Sequence, residues 1–257
     1  MEICVCVKRV PMVGGAIVVT PDGQDVDTAM AGFTVSPHEE CAVEEAVRIT
    51  ERFGGSVTVL TLGPPQAADQ LRDMLALGAN RAVLLETDGS EWGAIATAAA
   101  LADVVGDSRH DLLLFGNEAA DTGGYQVPVR VAHLLGRPCV TGIKRLEVVA
   151  GSDGNPDRII AGREYADAEE TFDLPLPAVV SVKEGINLPR YPSLPGRLRA
   201  KRASIDVVQL GPRPPDGLVK QRLRVPATSG ARSESLGSGA EAVPALMRLF
   251  DDLGVLR

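Results

Sequence analysis

Aromatic residues are scarce in this chain: Phe, Tyr and Trp make up 4% of its 257 residues, with the single Trp at position 92. So few rings argue against an extended base-stacking platform for nucleic acid and call for an aliphatic core. Cysteine is scarce too. Cys4, Cys6, Cys41 and Cys139 have neither the paired spacing of a metal knuckle nor the density of a secreted disulfide scaffold, so reduced and mostly buried thiols are expected. Cys4 and Cys6 share one face of a predicted strand, but no second Cys pair or adjacent His completes a metal site. No apolar run approaches the roughly 20 residues needed to span a bilayer. The start, MEICVCVKRV, lacks the basic opening and long apolar centre of a signal peptide, so a cytoplasmic protein is expected. Positive charge is in deficit: 26 Lys and Arg stand against 34 Asp and Glu, a net charge of −8. That balance disfavours general affinity for phosphate backbones and makes the basic cluster at 197–202 a local exception.

What is present is an ordinary hydrophobic content of 45%, enough for one large domain or a domain with an appendage. The first 140 residues alternate short apolar runs with helical periods, the pattern of a parallel sheet covered by helices. Ile3 to Val7, Val57 to Leu62, Arg81 to Leu85 and Leu112 to Phe115 read as strands buried on both faces. A helix begins after Ser36, with Ser36 as N-cap, Pro37 in the first turn and Glu39 closing a capping box. Ala42, Ala46, Ile49 and Phe53 form its apolar stripe, and Gly54-Gly55 stops it. Further helices are expected over Gln66 to Leu77, with Ala68, Leu71 and Leu75 inward, from near Ser90 to Val105, and from Tyr125 or Gln126 to Leu135, with Val127, Val131 and Leu134 inward. From Val140 to Val182 short alternating runs around GSDGNPD suggest antiparallel hairpins and an antiparallel edge. Ser204 to Leu210 reads as one more strand, Gly211 to Gly239 as extended or mobile, and Ala240 to Leu253 as an amphipathic helix without a local partner. The fold class is thus α/β, Rossmann-like, with a mostly parallel sheet, helices on both faces and an extended C-terminal arm.

That arm begins at NLPRYPSLPGRLRAKR, Asn187 to Arg202. Pro189, Pro192 and Pro195 recur every three residues, which predicts extended or turn structure rather than a helix or central strand. By composition alone the segment reads as a linker with a solvated basic tail.

In open α/β sheets ligands sit beyond the carboxyl ends of the strands. Four segments converge there: Lys8-Arg9, Ser36-Pro37-His38-Glu39, Gly63-Pro64, and Gly116 to Gly124. Thr122, Gly123 and Gly124 permit close backbone approach before a helix start, where free N–H groups attract phosphate. A Gly-rich turn without a ligand is the alternative, since neither GxGxxG nor a P-loop occurs in the right context. Catalysis has little support. His38, His110 and His133 are scattered, no GxSxG or HExxH occurs, and Glu44-Glu45 and Glu169-Glu170 read as solvated faces.

These residues resemble the beta subunit of electron-transfer flavoproteins along nearly the whole chain. CVKRV at Cys6 to Val10, SPHEECAVEEAV at Ser36 to Val47, LGPP at Leu62 to Pro65 and ALGANRAVLL at Ala76 to Leu85 follow the family's order, as do PRYPSLP at Pro189 to Pro195 and RAKR at Arg199 to Arg202. The family signature falls at Ala161 to Ser181, with departures at Ala166 and Ala168. The resemblance implies a heterodimer with an alpha subunit that holds the redox-active FAD, so that the chain alone catalyses nothing. It implies a nucleotide-binding domain over 1–185, and a partner-recognition loop and arm over 186–257 that packs on the alpha subunit. Structural AMP would be bound by Cys6, Lys8, Ser36, Pro37, His38, Glu39, Leu62 and the loop Asp121, Thr122, Gly123, Gly124, Tyr125 and Gln126; a second FAD there, as in a bifurcating branch, is the alternative. Flavin-dependent dehydrogenases would be met by Pro189, Arg190, Tyr191, Leu194 as apolar anchor, Pro195, Arg199, Lys201 and Arg202, with a quinone oxidoreductase or other acceptor downstream. Rival readings are a stand-alone nucleotide-dependent ligase, which lacks its SGGxDS-like loop here, and a nucleotide-sensing module, which needs no proline-rich arm.

Overall fold

The computed structural model describes residues 1–12, 17–213, 215, 217, 219–226 and 234–255. Its first apolar run forms β1 (Glu2–Cys6), followed by the short antiparallel pair β2 (Val10–Pro11) and β3 (Phe33–Thr34). Extended backbone at Ser36 then opens α1 (Pro37–Phe53), whose Glu39 accepts the Ser36 N–H at 3.1 Å. Ala42, Ala46 and Ile49 are buried and Phe53 packs beside them, as their spacing requires. The stop at Gly54-Gly55 has a steric reason: Gly55 has φ +114°, and a Cβ there would lie 2.0 Å from the Met1 carbonyl oxygen.

β4 (Ser56–Gly63) leads through a 3-10 turn at Pro65–Ala67 into α2 (Ala68–Leu77). The turn shifts the inward face by one residue, so Ala67 rather than Ala68 is buried. After β5 (Arg81–Glu86), α3 (Ala94–Gly106) starts later than the expected Ser90, because the Ser90 N–H and hydroxyl both bond Asp88 and hold a local turn. β6 (Leu112–Gly116) precedes α4 (Val127–Leu135), where Val131 and Ala132 are buried and the expected core residue Leu134 is exposed.

The remaining strands are β7 (Cys139–Ile143), β8 (Arg145–Ala150), β9 (Pro156–Tyr165), β10 (Ala168–Pro175) and β11 (Ala178–Val182). β8, β9 and β10 form their own three-stranded antiparallel sheet, with the β8–β9 turn at GSDGN. β7 and β11 instead join the main sheet in parallel, so the antiparallel pairing lies beside that sheet rather than along its edge. Helices cover both faces of the main sheet. Ile3 and Val5 of β1 point into the layer with α1 and α2, whereas Cys4 and Cys6 point into the layer with α3 and α4.

The arm corrects one expectation. Residues 187–193 carry no helix or strand, but α5 (Leu194–Arg202) runs straight through Pro195. Pro195 sits in the first turn, where its missing N–H costs nothing, and the Ser193 hydroxyl caps the helix by accepting the Gly196 N–H at 3.1 Å. β12 (Asp206–Gln209) then pairs in parallel with β5, completing the seven-stranded order β12-β5-β4-β1-β6-β11-β7. Between 211 and 238 the described residues form no helix or strand; residues 214, 216, 218 and 227–233 of the stretch expected to be extended or mobile lie outside the described residues. The closing α6 (Val243–Asp252) leaves Val243, Leu246, Met247 and Leu249 exposed, as is Leu253 at its C-cap. Among the described residues no helix is long and apolar enough to cross a membrane.

Candidate functional site

The strand order sets the site. The chain moves outward from β1 through β4 to β5, then returns to the other side of β1 with β6, which makes the carboxyl ends of β1 and β6 the topological switch point. The N-terminus of α1 is pressed against that point. It fits only because residue 116 is glycine: a Cβ on Gly116 would lie 2.6 Å from Glu39 Cγ and 3.1 Å from the Glu39 nitrogen.

Glu39 is the buried centre of the cluster. Its Oε1 accepts the Lys8 N–H at 3.0 Å and its Oε2 accepts the Ser36 N–H, tying the end of β1 to the start of α1. Burial nevertheless dominates and pushes the Glu39 carboxyl up to about 8, against the opposing pull of those two N–H groups and of Lys8. The Lys8 ammonium reaches across the switch point to Asp121, 2.7 Å from Oδ2 and 2.8 Å from Oδ1. Ser36 Oγ donates to the Glu118 carbonyl at 3.3 Å, while His38 Nδ1 accepts the Glu184 N–H at 2.7 Å. In the neutral ring the His38 proton therefore sits on Nε2, which faces Glu118 Oε1 at 3.4 Å. The serine hydroxyl and the imidazole are thus committed to different partners, and His38 is not paired with Ser36 as its base.

The sequence reading assigned no role to Glu184 or Ser181, and placed Glu118 and Asn117 only within the stretch Gly116 to Gly124. Glu118 and Glu184 hold the α1 terminus through Ser36 and His38. A buried relay also joins three strand ends: the Gly142 N–H donates to Ser181 Oγ at 3.1 Å, Ser181 Oγ donates to Asn117 Oδ1 at 3.2 Å, and the Asn117 N–H donates to the Val182 carbonyl at 2.9 Å. The signal for it was present, since Ser181 interrupts the apolar run AVVSV and Asn117 directly follows β6.

Of the expected nucleotide-binding residues, Cys6, Lys8, Ser36, Pro37, His38, Glu39 and Asp121 surround the switch point. Leu62 lies on the neighbouring β4, beyond the Cys6–Leu60 pairing, and packs on the same sheet face as Cys6. Thr122 to Gln126 are exposed to solvent, turned by φ of +53° at Gly123 and +54° at Tyr125. The Gly123 N–H is spent on the Ala119 carbonyl, whereas those of Gly124 and Tyr125 have no acceptor among the described residues and stand just ahead of α4. Gln126 Oε1 is held by Arg130 at 2.9 Å, and Pro128 in the first turn offers no N–H. N–H groups left open just ahead of α4, on the loop that Lys8 reaches at Asp121, suit an anionic oxygen. Cavities of about 460 Å³ beside Trp92 and Arg213 and about 610 Å³ on the antiparallel sheet lie away from this cluster.

On the arm, Tyr191 is 84% and Leu194 72% exposed, and Arg197 lies over the Tyr191 ring at 4.9 Å. Pro195, Lys201 and Arg202 are exposed, Pro189 is half-buried, and Arg199 Nη2 lies 3.5 Å from the Leu75 carbonyl. Arg190 turns the other way, onto Glu44 and Glu51 of α1. With Asn187 on Glu45, that contact corrects a further expectation: Glu44 and Glu45 are buried rather than part of a solvated face.

Comparison with known proteins places this geometry in context. The model of the electron transfer flavoprotein domain matches residues 26–212. The electron transfer flavoprotein subunit beta of Bacillus subtilis is 38% identical over 182 residues, covering 70% of this chain and 68% of that protein. The Mycobacterium tuberculosis subunit beta is 36% identical over 216 residues, 81% of this chain and 79% of its own. That of Bradyrhizobium diazoefficiens is 33% identical over 260 residues and covers both chains fully.

Proposed function

The chain belongs to the electron transfer flavoprotein family as a beta subunit, and we propose that it pairs with an alpha subunit carrying the redox-active FAD and passes electrons from flavin-dependent dehydrogenases towards a quinone oxidoreductase or similar acceptor. Its own contribution is a nucleotide site and a docking arm. The observation that carries the first is the convergence of Lys8, Glu39 and Asp121 at the switch point, on the loop whose Gly124 and Tyr125 N–H groups have no acceptor among the described residues. AMP fits that arrangement: the backbone at Cys6 and Leu62 faces adenine, and Gly124, Tyr125 and Lys8 meet the phosphate. Bound there, AMP supplies structure and no redox chemistry. Lys8 is the cation that offsets Asp121 at the switch point, so its loss should weaken nucleotide binding.

The docking arm is supported by the solvent-facing Tyr191 and Leu194, large side chains presented to solvent at the start of α5. A small exposed anchor suits short-lived redox encounters, whose interfaces are small. The exposed stripe of α6 supports its packing on the alpha subunit. The test is purification of the chain co-produced with an alpha-type partner, followed by release and identification of its nucleotides. One FAD and one AMP per heterodimer is the expected result. Two FAD per heterodimer replaces AMP by FAD at the switch point, and a colourless homodimer refutes the assignment.

A further inference from the structure

The arm leaves the body at a point of unusual polar density. Glu44 and Glu45 on α1 are only 5% and 8% exposed, and both face the incoming segment. Asn187 Nδ2 donates to Glu45 Oε2 at 2.9 Å and to the Cys41 carbonyl at 3.0 Å. Three residues on, the Arg190 guanidinium forks twice: Nε and Nη2 donate to the two oxygens of Glu44 at 2.8 and 3.1 Å, and Nη1 and Nη2 donate to those of Glu51 at 2.6 and 3.0 Å. The Arg190 backbone N–H adds a bond to Glu44 Oε2 at 3.1 Å. Glu44 and Glu51 are seven residues apart, two helical turns, so one guanidinium spans both on a single face of α1. Arginine has five N–H donors, and four are consumed here. Little remains to offer a partner protein.

The far end of the tip is tied down as well. Ala200 of α5 is buried, and Gly196 approaches α2 so closely that a Cβ would lie 2.9 Å from the Ala76 carbonyl oxygen. Between these two attachments lie Tyr191 to Pro195, whose Tyr191, Ser193, Leu194 and Pro195 are exposed, and the Ser193 cap on α5 and the ring of Pro192 stiffen the tip. We infer that Arg190 is a positioning residue: with Glu44 and Glu51 it clamps the arm onto α1, fixes where Leu194 is presented, and does not itself contact the dehydrogenase. The inference rests on the arm being the docking element. Its physical basis is preorganisation, since a tip already fixed in the free protein loses less freedom on binding than one that must be ordered by its partner. Consistent with a tight clamp, hydrogen bonding from Arg190 holds the Glu51 carboxyl below its ordinary range although that side chain is largely exposed.

The test uses the purified heterodimer and a partner dehydrogenase, with flavin reduction followed by stopped flow over a range of heterodimer concentrations. Arg190→Ala should raise the half-saturating concentration roughly tenfold while the limiting rate stays within about twofold, the signature of lost preorganisation. Arg190→Lys should behave like Arg190→Ala, because an ammonium cannot span two carboxylates. Glu51→Gln, at an exposed position that leaves the buried Glu44 paired, should raise it roughly threefold and remain well folded. Glu44→Gln with Glu51→Gln should reproduce the Arg190→Ala effect, and adding Arg190→Ala should change nothing more. Amide exchange of residues 187–194, measured on the heterodimer without dehydrogenase, should quicken in every clamp variant. Full rescue by Arg190→Lys, additive effects, unchanged exchange, or half-saturation unaffected by Arg190→Ala would each overturn the inference. Leu194→Ala is the separate control: if it leaves docking intact, the docking reading itself has failed, whatever Arg190 does.

Discussion

Replacing Glu39 by Gln tests how the switch point is held together. The buried carboxyl is pushed from 4.5 to about 8 by burial, although the Ser36 and Lys8 N–H groups and the Lys8 charge pull it down. Because the folded value lies above the unfolded one, the native state binds more protons between those two pH values, so stability is fully present below about pH 4.5 and falls as pH rises towards 8. At about 1.4 kcal/mol per pH unit the total loss is on the order of 5 kcal/mol, large against the roughly 5–15 kcal/mol that holds a typical domain together. Gln cannot ionise, but its amide puts a donor against one of the two N–H groups, costing about 1–3 kcal/mol at every pH. Wild type should therefore be the more stable protein at pH 5, and the gap should close or reverse by pH 8. Urea unfolding of both proteins at half-unit steps measures it. Parallel stability curves between pH 5 and 8 would refute the reasoning, and would mean that the two N–H groups outweigh burial and keep Glu39 ionised.

Two other expectations follow from the same geometry. Gly116→Ala should cost about 1–3 kcal/mol and lower Tm, because its Cβ would press into Glu39 Cγ and the backbone of the α1 terminus; Gly124→Ala, with nothing within 4 Å, should alter stability far less in the same thermal scan. Cys139 is half-buried and its thiol is pushed up to about 11 by burial, so at pH 8 it should react with a thiol reagent far more slowly than a free cysteine, and mass mapping of early adducts should leave it unlabelled.

Much of the scaffold was legible in the sequence because its signals are local. β1, β4, β5 and β6 are near-continuous apolar runs, and α1 is bounded by Ser36-Pro37 and Gly54-Gly55, each of which has its own steric or hydrogen-bonding logic. What stayed hidden depends on contacts distant in sequence. Nothing local distinguishes β7 and β11, which join the large sheet, from β8 to β10, which leave it. Glu44-Glu45 looked solvated because the groups that bury them, Arg190 and Asn187, lie more than 140 residues away. The proline spacing was misleading at Pro195 alone, where Ser193 two residues earlier is the N-cap that turns an apparent breaker into a helix start. Lys8, Ser36, Glu39 and Asp121, which the structure brings together, were legible from strand ends and the capping box, whereas the contacts of Glu118 and Glu184 with Ser36 and His38 join segments far apart in sequence.

The most direct test of the account is the rate at which a partner dehydrogenase reduces the heterodimer's flavin in stopped flow, compared between wild type and Leu194→Ala. Leu194 is solvent-facing in the free chain, so its removal should spare folding, subunit pairing and nucleotide content. Transfer at sub-saturating concentration should nevertheless slow by roughly tenfold or more, as expected when a central apolar anchor is truncated. An unchanged rate in an intact heterodimer would contradict the claim that this chain carries the docking arm.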